Sequence, residues 1–142
     1  MGSLISISNC LGRVVQGASA DKVGFKKVLT TMAVLQAGLL YTLTLVAGHK
    51  ALFTLWVCLI AFMYGGNFAL YPTASMDQFG KTYAGSNYGV IFTAYAVAGV
   101  VGALLKGDLE KAVGGFEHLT FLLGGVCTTG ALLTFFVKPK MQ

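Results

Sequence analysis

The sequence predicts an all-α integral membrane chain of about five transmembrane helices, and three observations carry that prediction. Hydrophobic residues make up 56% of the 142 and charged residues only 11%, where a soluble domain carries about 25% charged residues. Mean hydropathy is +0.75. The few charges are gathered into short clusters separated by uncharged apolar runs, and a helix crossing about 30 Å of hydrocarbon needs about 20 such residues. A soluble fold would have almost no polar surface left to face water. A transmembrane barrel would alternate in strands of about 10 residues instead of running continuously apolar.

The elements follow in order. Residues 1 to 20 are apolar or small apart from Arg13 and read as a first helix. Residues 28 to 48, "VLTTMAVLQAGLLYTLTLVAG", lie between Lys27 and His49 and form the next span. Residues 51 to 76, 84 to 105 and 119 to 137 meet the same test and complete the set. In the span from 51 to 76, "YGGNFALYP" (Tyr64 to Pro72) combines two adjacent glycines, a polar Asn67 and a proline that removes one backbone donor. Such breaks are tolerated in membranes where a neighbouring helix or a cavity satisfies the freed groups, so this is either a plain kink or a substrate contact.

If the chain crosses at every run, Lys22, Lys26, Lys27, Lys81, Lys138 and Lys140 share one side with Asp21 and Asp77, for a net charge of +4. On the other side Lys50, Lys106 and Lys111 cancel Asp108, Glu110 and Glu117. The positive-inside bias then places the first loop and the C-terminus in the cytosol. The basic balance is therefore topological, the expected environment is the lipid bilayer, and no solvated basic face exists for nucleic acid.

Other signals carry little chemistry. "GKT" at 80 to 82 has Ser75 where a phosphate loop requires glycine. Cys10, Cys58 and Cys127 sit inside predicted spans without metal or disulfide spacing and read as small packing residues. No nucleophile, base and orienting group occur together, so neither an enzyme nor a cofactor is expected. The nineteen glycines fit close approach of helix backbones in a bilayer, with Gly85 and Gly89 as one small-residue pair and Gly12 and Gly17 flanking Arg13.

The stretch "GASADKVGFKK" resembles the cytosolic loop motif of the major facilitator superfamily. Gly17, Ala20, Asp21, Lys22, Gly24 and Lys26 match it, while Ser19 and Phe25 depart from it. "GRVVQG" and "YPTASMDQFGKTYAGSNYGVIFTAYAVAGVVG" are similar to the oxalate/formate antiporter branch and, more distantly, to monocarboxylate porters. The resemblance covers essentially the whole chain. It implies that residues 1–142 are the C-terminal part of a twelve-helix carrier, equivalent to helices eight to twelve, with the N-terminal half absent. In such a loop the glycines allow a tight connection, the lysines hold it in the cytosol, and Asp21 can accept bonds from a helix N-terminus in the facing half.

Arg13 is the residue best suited to chemistry. Eight helical residues separate it from Asp21, about 12 Å of rise, which puts the guanidinium toward the bilayer midplane. A charge there costs at least ~2.5 kcal/mol on insertion scales, and no acid lies in the other predicted spans to pair with it. It is either a snorkelling or packing residue, or a planar donor fork for an anion, most simply a carboxylate. In the resembling porters an arginine of this helix binds the substrate carboxylate. Proton-coupled monocarboxylate porters also carry an aspartate one turn earlier, where this chain has Asn9, which cannot titrate. Residues 84 to 105 offer no second cation, only groups such as Asn87, Tyr88, Thr93 and Tyr95. The expectation is therefore transport of a small carboxylate, a monocarboxylate before oxalate, with Arg13, Asn67 and Tyr95 at the substrate. The alternative is a truncated, transport-inactive membrane protein that acts only through helix association.

Overall fold

A computed structural model of the chain describes residues 2–80 and 82–136, with side chains except at 101–113 and 135. Five helices follow in the order α1 (Gly2–Val23), α2 (Phe25–Thr42), α3 (Lys50–Phe79), α4 (Ala84–Val113) and α5 (Phe116–Phe136), one for each predicted span. Lys81, Lys138 and Lys140 of the predicted basic side lie outside the described residues, as do the side chains of Lys106, Asp108, Glu110 and Lys111.

Helix boundaries differ from the apolar runs for local reasons. α1 and α2 are joined by Gly24 alone, at φ 92° and ψ 141°, where its N–H closes α1 on the Ala20 carbonyl at 2.8 Å. Only glycine adopts that backbone conformation without strain, so the tight loop depends on Gly24. Gly17 belongs to α1 instead, and a Cβ added there would meet Ala69 of α3 at 3.4 Å. α2 stops at Thr42 rather than at 48, and the chain continues through turns closed by bonds such as Leu45 N–H to Thr42 O (3.2 Å) and His49 N–H to Val46 O (3.1 Å). These i to i+3 bonds tighten the end of the predicted span without continuing the α-helix. α4 runs past 105 to Val113 because residues 106 to 113 include good helix formers. The break comes at Gly114 and Gly115, both at positive φ.

α1 and α3 run parallel and in intimate contact, with Asn9 against Ala61, Gln16 against Phe62 and Gly17 against Ala69. α2 and α5 run antiparallel, joined by Thr30 to Thr134 (2.8 Å) near one end and Tyr41 to Thr128 (3.3 Å) toward the other. This alternation gathers Asp21, Lys22, Lys26, Lys27 and Asp77 at one end of the bundle, as the charge pattern anticipates.

The fully buried apolar core is small, centred on Ala20, Phe25, Met32 and Leu70. Large apolar side chains instead point outward, with Val14 at 66%, Val90 at 70% and Phe136 at 82% exposure. Among the described residues, two helices are long and apolar enough to cross a membrane by length and composition, Lys50–Phe79 and Phe116–Thr134. α1 is diluted by small and polar residues and by Arg13, and α2 opens on Lys26 and Lys27.

Candidate functional site

The site is built on the crossing of α1 and α3. A Cβ on Gly12 would collide with the Phe62 carbonyl, and one on Gly65 with the Asn9 carbonyl, so the two backbones touch there and only glycine fits. Two amides fasten the crossing. Asn9 Nδ2 donates to the Ala61 carbonyl (3.3 Å) and Gln16 Nε2 to the Phe62 carbonyl (2.9 Å). They bracket Arg13 by one turn on either side, which fixes the stretch of α1 that carries it.

From this position the Arg13 guanidinium reaches over Phe68 of α3, with Cζ 4.6 Å from the ring centre. Such a cation–π contact is worth about 0.5–1 kcal/mol where exposed and more where desolvated. It leaves the in-plane donor fork uncommitted, and Arg13 itself remains exposed along the helix face. Tyr95 of α4 packs against the same ring, T-shaped at 5.3 Å, and stacks on Phe92 at 5.8 Å. Tyr64 closes the group, with its ring 5.7 Å from Phe68 and 6.0 Å from Tyr95.

Beside these rings, α3 and α4 enclose a cavity of about 210 Å³ whose wall includes Asn67, Phe68, Tyr71, Tyr88, Phe92 and Tyr95. The Tyr95 hydroxyl is buried and has no hydrogen-bond partner among the described residues. A buried hydroxyl without a partner is costly, so its donor and lone pairs are available to an occupant.

Phe68 brings the three predicted site residues together. Arg13 lies on its face, Tyr95 on its edge, and Asn67 precedes it and lines the cavity. Thr93, a further candidate, is exposed and donates to the Val90 carbonyl (2.7 Å). Sequence reading missed Phe68, Phe92 and Tyr64. The signal was present as aromatic spacing of three and four residues, Tyr64–Phe68 in α3 and Tyr88–Phe92–Tyr95 in α4, which stacks rings along one helix face. The loop-motif residues Asp21, Lys22, Gly24 and Lys26 lie at the charged end, whereas Gly17, one turn after Arg13, packs against Ala69 beside Phe68. Gly85 and Gly89 make no tight packing, since nothing lies within 4 Å of a Cβ at either. Gly12, Gly65 and Gly66 fill that role instead.

Comparison with known proteins is decisive on family. The model of the Major Facilitator Superfamily matches residues 1–141. The chain belongs to that superfamily. Major facilitator proteins are transporters embedded in membranes, and the all-helical, outwardly apolar bundle accords with that membership. Apicoplast pyruvate carrier 1 of Toxoplasma gondii is 31% identical over 143 residues, covering 100% of this chain and 26% of the carrier. The oxalate:formate antiporter of Oxalobacter formigenes is 29% identical over 142 residues, covering 96% of this chain and 34% of the antiporter. Apicoplast pyruvate carrier 2 of Toxoplasma gondii is 27% identical over 147 residues, covering 98% of this chain and 21% of the carrier. The chain thus spans about a third or less of the length of these curated relatives. No solved structure matches it.

Proposed function

We propose that this chain forms one wall of a facilitator-type carrier that moves a small organic anion, a monocarboxylate, across a membrane by alternating access. Arg13 is the observation that carries the reading. It is a membrane-depth guanidinium with no acidic partner among the described residues, it is laid on Phe68, and it keeps its donor fork for a carboxylate. Arg13 is not itself on the cavity wall, but Phe68, the ring it covers, is; Tyr95 and Asn67 supply a hydroxyl and an amide on that wall, and its aromatic lining suits a substrate with an uncharged body better than a second carboxylate. The names of the related pyruvate carrier and oxalate:formate antiporter support a small carboxylate as cargo. Transport of this kind needs no covalent chemistry and no cofactor. The partners implied are the lipid bilayer, the carboxylate itself and an N-terminal half bearing the facing wall, since such sites lie between two repeats. In this reading the charged end with Asp21, Lys22, Gly24 and Lys26 faces the cytosol, and so does the C-terminus.

The test is a pair of substitutions at Arg13 in the full-length carrier. Arg13→Gln removes the charge, while Arg13→Lys keeps it and loses the bidentate fork. A charge-assisted bond contributes about 1.5–3 kcal/mol, or about one to two decades in affinity. Gln is expected to weaken carboxylate binding by at least that much and Lys by less. Unchanged binding by a folded, inserted Arg13→Gln variant would make Arg13 a packing residue.

A second reading rests on the span of the match, about a third or less of each relative. Here the chain is a truncated, transport-inactive membrane protein that acts by associating with other helices.

A further inference from the structure

On another side of α3, helices α2, α3 and α5 border a second, half-open cavity of about 310 Å³, to which α4 contributes no described residue. Its wall includes Gln36, Asn67, Tyr71, Cys127, Gly130 and Thr134. Thr134 is committed, donating to the Ala131 carbonyl (2.6 Å) and lying 2.8 Å from the Thr30 hydroxyl. The amides of Gln36 and Asn67 and the hydroxyl of Tyr71 find no hydrogen-bond partner among the described residues. Pro72, one residue on, has no N–H and so leaves the Phe68 carbonyl without its helical donor.

These amide and hydroxyl atoms are not fully covered by the described residues, so inside a membrane bundle they call for a hydrogen-bonding partner from outside the chain. The wall also carries Leu29, Met32 and Ala33 and is more apolar than polar, yet the space far exceeds the share of one water in the liquid, about 30 Å³, and the amides and hydroxyls on it offer the two to four polar partners that a water needs. No lining residue carries a formal charge. The complement of such a wall is a molecule that donates and accepts hydrogen bonds without a net charge.

We propose that this α2–α3–α5 chamber is a hydrated ligand site, separate from the anion cavity, that admits water and small uncharged hydrogen-bonding solutes. Asn67 and Tyr71 line both spaces, so an occupant of the chamber touches the partition that also forms the wall of the anion cavity. The chamber stands independently of the cargo assigned to Arg13.

Cys127 reports on it, being a free, half-buried thiol on the chamber wall. A thiol reacts as its thiolate, which forms where water can take the proton. With a methanethiosulfonate the Cys127 thiolate attacks the sulfenyl sulfur. A disulfide forms, the bond between the two reagent sulfurs breaks, and methanesulfinate leaves with the electron pair.

The experiment is done in native membranes on the protein with Cys10→Ser and Cys58→Ser. It uses 2-hydroxyethyl methanethiosulfonate and its trimethylammonium counterpart, each rate divided by that with a free thiol in solution. The uncharged reagent is expected to modify Cys127 at least about tenfold faster than it modifies a Val126→Cys variant made with Cys127→Ser. Val126 is the neighbouring residue and is 62% exposed on the outer face of α5. Gly130→Leu, at a position with open space beyond its Cα, is expected to fill the chamber and slow labelling at Cys127 by about tenfold or more. Equal rates at Cys127 and Val126→Cys, or a Cys127 rate indifferent to Gly130→Leu, would overturn the hydrated chamber. Equal normalised rates with the charged and uncharged reagents would overturn the assignment to uncharged solutes.

Discussion

Arg13 and Asn9 occupy one face of α1 a turn apart, yet they do different jobs. Arg13 stands on the Phe68 ring with its fork free, while Asn9 is used up as a donor to the Ala61 carbonyl. The sequence marks Asn9 only as a group that cannot titrate, and the structure gives it a structural task that limits what can replace it. In Asn9→Asp, a protonated carboxyl can still donate to Ala61. An ionised one either faces the lone pairs of that carbonyl or pairs with Arg13 and cancels the charge proposed to hold substrate. Burial and the carbonyl favour the neutral form, Arg13 favours the charged form, and both consequences of ionisation oppose anion binding. Carboxylate uptake by Asn9→Asp is therefore expected to rise as pH falls through the titration of the new carboxyl and to be lost as pH rises. The parent should stay flat over the same range. Uptake measured against pH in both proteins checks this, and a flat profile in the variant would show that position 9 is not felt at Arg13.

At the scale of elements, the α1–α3 crossing determines where Arg13 can point. Gly12 and Gly65 bring the two backbones into contact, Gly66 makes room for the Gln16 and Met32 side chains, and Asn9 and Gln16 bond across the crossing. Gly65→Val places two methyl groups where the Asn9 carbonyl now sits. Overpacking of this kind costs about 1–3 kcal/mol even where side chains can yield, and backbone yields less. A lower thermal midpoint in detergent is expected for Gly65→Val, whereas Gly85→Ala should leave the midpoint close to the parent's, since surface changes alter stability by no more than about 0.5 kcal/mol. Comparable losses from both would mean that glycine content as such, and not this crossing, governs packing. The chain carries many glycines that look alike in sequence, and tertiary contact separates those that hold a crossing from those that face outward. The same holds for helix length. The apolar runs located every helix, but α2 ended early in i to i+3 turns and α4 ran on to a glycine pair, because hydropathy does not register backbone hydrogen bonding.

For the whole molecule, the apolar surface and the one-sided charge make two further measurements informative. In a cysteine-free background, a single cysteine at Lys26 is expected to be shielded from an impermeant thiol reagent in intact cells, and one at Lys111 to react. The opposite pattern would invert the proposed orientation. The purified 142-residue chain, reconstituted alone into liposomes, is expected to give no saturable carboxylate flux above empty vesicles, because in the proposed reading five helices offer only one wall of a site formed between two repeats. Saturable uptake by the lone chain would require a second copy of it to provide the facing wall.

The sequence alone determined the solvent, the number of helices, the charged end and the family, because each depends on composition, on the length of uncharged runs or on a short motif. It also singled out Arg13, since a charge at that depth has few explanations. Tertiary structure decided what Arg13 meets. Phe68 is one apolar residue among many in the sequence, and it becomes the centre of the candidate site only when α1 crosses α3 closely enough for a guanidinium to lie on its ring and α4 brings Tyr95 to its edge. Likewise Asn67 and Tyr71 gained a cavity on each side through the packing of α2, α4 and α5 around α3. Cavities are properties of facing surfaces, and the residues that face one another here are separated by dozens of positions along the chain.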